Sequence, residues 1–182
     1  FQLLWLLIDW LGLASEREGD ARVRLTLLAA EQWLFAGDVM RARNALDSIP
    51  RPVSASLDPL LQVASSRLLL TDNRVEEALN ILEQLGRQPL PMSDRLRVDK
   101  ARADAWLMKE DPVRAIAIME QRETWLDDGQ AILGDRRWLW EGLKASHPMV
   151  LRESMALADE PLSEGWLTLA SLARTTGEQG VG

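Results

Sequence analysis

The residues that could do chemistry are few. His147 is the only histidine, and the chain has no cysteine. A thiolate nucleophile, a disulfide and a cysteine-ligated zinc site are therefore excluded, and one histidine without a second does not make a convincing metal site. His147 stands before Pro148 at a helix start and reads as a turn residue. Glu76-Glu77 and Asp127-Asp128 are the adjacent acid pairs of interest. Neighbours on a helix do not share a face, so Glu76-Glu77 reads as solvated charge in a first helical turn. Asp127-Asp128 reads as a loop that caps or turns. Paired carboxylates of the glycosidase kind have no support in the pattern. No phosphate loop, nucleophile elbow, HExxH or dinucleotide fingerprint occurs. No catalytic residue, cofactor or metal is expected.

The elements that would carry such residues are helices. Leu, Ala, Glu, Arg and Asp dominate the 182 residues, Tyr is absent, and Gly (11) and Pro (8) are few. Alternating β-branched runs are missing, so the expected fold class is all-α. Net charge is −7, which argues against a nucleic-acid partner, since phosphate neutralisation needs a basic stripe. The opening "FQLLWLLIDWLGLA" occupies residues 1–14 with Asp9 inside it. It falls short of the roughly 18–20 apolar residues of a membrane span and reads as a buried helix rather than a signal-peptide core. The chain opens on Phe1 rather than methionine and is read as a piece of a longer protein.

Helix starts are marked by acids that can accept orphan N–H groups. They precede the helical patterns at Asp20, Asp38, Asp58-Pro59, Ser93-Asp94, Asp111-Pro112 and Asp159-Glu160-Pro161. Stops follow at Pro50 and Pro52, at Gly86 with Pro89 and Pro91, and at Gly177 before the "GEQGVG" tail. These signals predict about nine helices of roughly 10–17 residues.

The helices repeat. Ala42, Ala78 and Ala115 stand early in the second helix of a pair, at intervals of 36 and 37 residues. Four residues further come Leu46, Leu82 and Met119. Nine residues before each alanine come Trp33, Leu69 and Trp106, and twelve before come Ala30, Ser66 and Ala103. Small residues let antiparallel helices approach, and large ones fill the space beside the crossing. The pattern resembles the tetratricopeptide repeat, with Gly37-Asp38, Asn73-Arg74 and Glu110-Asp111 at the three turns. The expected fold is a TPR-like superhelix of helix pairs. One domain is expected over 1–182. It has an N-terminal helix over 1–19, three pairs over 20–123, shorter atypical capping helices over 124–178 and the start of a linker at 179–182.

The tryptophans read as core, except that one of Trp138 and Trp140, two apart on a helix, is expected to be exposed. The register places Arg24, Glu31, Arg67, Arg97, Lys100 and Asp104 towards a concave side, as a candidate partner-binding groove.

Three segments in order, "GDARVRLTLLAAEQWLFAGDVMRARNALDSIPR", "RLRVDKARADAWLMKEDPVRAIAIME" and "LSEGWLTLASLARTTG", resemble the N-terminal helical domain of LpoA-type lipoproteins. The resemblance covers about residues 15–178, and "EGWLTLASLAR" matches the segment that closes that domain before its linker. It implies a periplasmic domain held at the outer membrane by a lipid anchor outside this chain. It also implies a following binding-protein-like domain, and stimulation of a bifunctional class A penicillin-binding protein by contact rather than catalysis. In that family the activating contact is credited to the following domain, so the helical domain supplies reach and position; peptidoglycan is a further possible ligand. Two other classes stay open on the residues alone: the helical superhelix of a soluble lytic transglycosylase, and a generic TPR adaptor.

Overall fold

The structure is a computed structural model. It describes the backbone of residues 2–156 and Leu172, and side chains from Glu18 onwards apart from four positions in the last helix. The described residues are helical, without strands. The helix expected after Asp159-Glu160-Pro161, the stop at Gly177, Trp166 and the "GEQGVG" tail lie outside the described residues.

Within the described residues 2–156 eight helices follow one another: α1 (Gln2–Phe35), α2 (Val39–Asp47), α3 (Asp58–Thr71), α4 (Val75–Gly86), α5 (Met92–Met108), α6 (Pro112–Glu123), α7 (Gly129–Ala145) and α8 (Pro148–Ala156). The chain comprises two compact units, Phe1–Arg74 and Val75–Gly182.

In the first unit α1 packs on α2 and α3, and α2 packs on α3. Leu27, Ala30, Leu46, Ile49, Leu57, Leu60, Leu61 and Ala64 form its core. The loop from Ser48 to Leu57 closes that core at both ends through Ile49 and Leu57, and contains a cis peptide bond before Pro52. In the second unit α5 packs on α4 and α6, and α6 on α7 and α8. Its core joins Ala103, Val113, Ala115, Ile116, Met119, Leu139, Leu143 and Leu151.

The small-residue columns are buried. Ala30, Ser66 and Ala103 are fully buried, as are Ala42, Ala78 and Ala115. Ser66 meets the polar cost of that position by donating its hydroxyl to the Gln62 carbonyl at 2.7 Å. Leu46, Leu82 and Met119 are buried, while Trp33, Leu69 and Trp106 are half-buried.

The turns recur with them. Gly37, Asn73 and Glu110 each hold a positive φ, of 79°, 59° and 60°. Each is the left-handed residue of a Schellman closure. The N–H of Gly37 bonds the Leu34 carbonyl and that of Asp38 bonds Trp33; Asn73 and Arg74 bond Leu70 and Leu69; Glu110 and Asp111 bond Leu107 and Trp106. The large residue of the repeat column is therefore also the acceptor of the closing bond. Asp38 and Asp111 then cap the next helix, accepting from the Arg41 and Arg114 N–H groups at 3.1 and 3.2 Å.

Other start signals need correction. Asp20 does not open a helix: α1 runs 34 residues straight through it, because nothing stronger than Gly19 interrupts a run of helix formers. Asp58 is the first residue of α3 rather than its cap, and its carboxylate accepts from the Gln62 side chain. α5 begins at Met92 after Pro91, so Asp94 lies inside its first turn. α7 is no short capping helix but has 17 residues, as many as α5. No helix among the described residues is long and apolar enough to cross a membrane.

Candidate functional site

Polar side chains collect in separate clusters within each unit. In the first unit Arg67 Nε lies 3.3 Å from Glu31 Oε1, and the guanidinium stacks 4.6 Å above the Phe35 ring. Both charged groups are buried, at 7% and 3% exposure, so a partner would compete with an existing ion pair. Glu31, Arg67 and Asp104 occupy one repeat column, which makes that column a polar seam within buried neighbours. Of the other groove candidates Arg24 is exposed, whereas Arg97, Lys100 and Asp104 are half-buried. Lys100 reaches Asp135 at 3.9 Å and the Trp138 ring at 5.6 Å.

A further polar cluster in the second unit lies outside the candidate groove residues. Arg102 donates from Nε and Nη2 to the two oxygens of Glu83 at 3.1 and 2.9 Å, and from Nη1 to Asp99 at 3.3 Å. The Trp106 indole N–H donates to the same Glu83 at 3.0 Å. Burial pushes Glu83 up, but the Arg102 and Trp106 hydrogen bonds, with the Arg102 and Arg87 charges, hold it below the ordinary carboxylate value. Asp99 goes the other way: burial dominates its attraction to Arg102, Arg95 and Arg122 and raises it. Arg102 is held more firmly protonated, because its bonds to Glu83 and its attraction to Glu83 and Asp99 outweigh desolvation. The available signal was Asp99, Arg102 and Trp106 at three- and four-residue spacing, which puts them along one side of α5.

A second buried acid, Asp135 of α7, accepts from Arg122 Nε at 2.6 Å, while Arg122 Nη1 donates to the Leu96 carbonyl. Arg136 forms a fork to Glu123 at 2.6 and 2.8 Å. The Trp106 ring carries Arg114 at 4.3 Å and Lys109 at 5.6 Å. These contacts are charge neutralisation and packing. None sets a nucleophile beside a base, and among the described residues no group of three metal-ligating side chains converges.

His147 is exposed, and its Nδ1 accepts the Met149 N–H at 3.2 Å, the start of α8. Asp128 likewise caps α7 through the Gln130 N–H at 3.0 Å. Glu76 is exposed and pairs with Lys109 at 2.6 Å. The tryptophan expectation needs two corrections. Trp138 and Trp140 are both half-buried, because Leu139 between them points into the core and each ring flanks it. Trp125, expected in the core, is 44% exposed because it follows the end of α6 in a turn. An open hollow of about 480 Å³ lies beside Arg51, Pro52, Val53, Ala55, Asp58 and Leu61. Asp58 and Arg51 are its only ionisable lining groups, so it lacks the convergent polar groups of a catalytic cleft.

No family model, no curated protein and no solved structure matches this chain.

Proposed function

We propose that this chain is a non-catalytic interaction domain, a TPR-like superhelix of helix pairs. It belongs to a periplasmic lipoprotein that activates a class A penicillin-binding protein from the outer membrane. The observation that carries the scaffold part is the turn built three times from the same two backbone bonds, at Gly37, Asn73 and Glu110, with fully buried small residues at matched positions on either side. A chain that spends its regularity on helix packing, and whose Arg67–Glu31, Arg102–Asp99 and Arg122–Asp135 pairs neutralise charge internally, supports a scaffold over a catalyst. The cell-wall part is supported by the ordered resemblance of the three segments to LpoA-type lipoproteins. In this reading the domain holds the following domain at a reach and angle suited to the synthase, and needs no cofactor.

Three measurements test it. The full reading frame is expected to carry an upstream lipid-attachment cysteine and a downstream α/β domain; a lysozyme-like domain with a catalytic glutamate would instead make this the helical part of a lytic transglycosylase. Purified full-length protein is expected to raise the cross-linking rate of the class A synthase from the same cell. The 182-residue chain alone is expected to release no muropeptides from purified sacculi. Dose-dependent release by the pure chain would overturn the non-catalytic reading.

A further inference from the structure

Within the second unit two helices of equal length are seated differently. α5 has 17 residues and buries side chains from its first turn to its last, at Asp94, Val98, Asp99, Ala101, Ala103 and Ala105. α7 also has 17, but its buried residues are Asp135, Leu139 and Leu143. Leu139 and Leu143 are fully covered in the apolar core, and Trp138 and Trp140 pack against that core beside them. Residues 129–137 supply none of it. Leu133 is 60% exposed, Ala131 and Ile132 are half-buried, and the buried side chain of this half is an acid, Asp135. Gly134 lies inside the same half, and a Cβ built there would meet nothing within 4 Å. Packing therefore does not require the glycine, and it weakens the helix relative to alanine.

We propose that residues 129–137 form a strap, a half-helix fastened to α5 and α6 through Asp135, which opens locally while Leu139 and Leu143 hold the rest of α7 in place. The fastening is ionic. Arg122 of α6 donates from Nε to Asp135 at 2.6 Å and from Nη1 to the Leu96 carbonyl of α5. Asp135 thus grips a guanidinium already fixed to the neighbouring helix. Lys100 of α5 stands 3.9 Å from the same carboxylate and 5.6 Å from the Trp138 ring, at the junction of the strap with the anchored half. Arg136 forks onto Glu123, but its side chain is 51% exposed, and a pair that open to water contributes little. A half-helix of this length is not stable without tertiary contact, and Gly134 weakens it further. Local opening falls on segments that bury few apolar side chains, and this one answers that description. Opening withdraws the acid from Arg122 and Lys100. It uncovers two cations, one of them only 11% exposed when the strap is closed, in a chain of net charge −7.

Hydrogen exchange of the 182-residue chain, read residue by residue by NMR where exchange reports the opening equilibrium, tests this. Amides 132–137 are expected to show protection, but with a lower opening free energy and a shallower urea dependence than amides 140–145. Leu139→Val, a mild cut in the anchored half, is expected to speed exchange at 140–145 severalfold and to leave 132–137 unchanged, because the open strap keeps Leu139 packed. Asp135→Asn keeps the size of the side chain and removes its charge, and is expected to speed 132–137 roughly tenfold or more. Gly134→Ala is expected to slow 132–137 about fivefold, and to slow the Arg122 Nε proton with them. If Leu139→Val speeds both halves together, α7 opens as one piece and the strap is overturned. Exchange at 132–137 that ignores Asp135→Asn would show that the acid fastens nothing. Complete lack of protection there in the wild type would show that no closed strap exists. The outcome does not depend on which partner the chain serves.

Discussion

Glu83 and Asp99 bind the same guanidinium, yet their ionisations respond to pH in opposite directions. For Glu83 the folded state favours the carboxylate, so its contribution to stability is present above the ordinary value of 4.5 and is lost as pH falls through the lowered folded one. For Asp99 the folded state favours the protonated acid. Its contribution is present below the ordinary value of 3.8 and is lost as pH rises through the raised folded one. Urea unfolding of wild type, Glu83→Gln and Asp99→Asn at pH 7, 5 and 3 separates the two. The penalty of Glu83→Gln is expected to shrink towards pH 3, and that of Asp99→Asn to shrink towards pH 7. Parallel pH dependence of the two variants would show that Arg102 couples them into one titrating group rather than two. At this scale the sequence was only partly legible. Buried small residues announced themselves by recurring, as at Ala42, Ala78 and Ala115. The ion pairs did not, because Glu83 and Arg102 lie on different helices and their meeting depends on the packing of α4 on α5.

The three turns share one backbone form but not one residue type. Gly37 adopts its positive φ without a Cβ penalty, whereas Glu110 holds the same conformation at a steric cost. A Cβ at Gly37 would meet nothing within 4 Å, so the cost of filling it is torsional rather than packing. Gly37→Ala is therefore expected to destabilise by about 1 kcal/mol. Glu110→Gly is expected to stabilise by about 0.5–1 kcal/mol, the relief of left-handed strain less the added freedom of the unfolded chain. Thermal and urea unfolding check both signs; a destabilising Glu110→Gly would mean that the glutamate side chain contributes more than its backbone costs. The turns were legible because they combine a polar or glycine residue with a following helix pattern, and because the spacing repeats. Helix starts were legible where the acid follows a tight turn, at Asp38 and Asp111. They misled at Asp20, where no turn precedes the acid, and at Asp94, where Pro91 sets the boundary earlier.

At the scale of the molecule, the chain comprises two compact units, and the boundary between them falls at the second turn, whose Asn73 and Arg74 make the same closing bonds as the other two. Periodicity reports how each helix pair is built and is silent on how strongly successive pairs are joined. Each unit nevertheless has its own apolar core. In the second, eight buried residues from Ala103 to Leu151 pack with Trp106, Trp138 and Trp140. Its ion pairs are internal as well: Arg102 with Glu83, Arg122 with Asp135, and Arg136 with Glu123 all lie after residue 75. A fragment of residues 75–182 is therefore expected to fold alone. The expected signs are a far-ultraviolet circular dichroism spectrum of a helical protein and a single cooperative thermal transition. Within that fragment, Leu139→Ala removes a fully buried side chain and is expected to cost about 2–5 kcal/mol. If the fragment melts broadly and Leu139→Ala leaves the melt unchanged, this core does not suffice to hold its unit, and the helix pairs owe their order to the uncut chain.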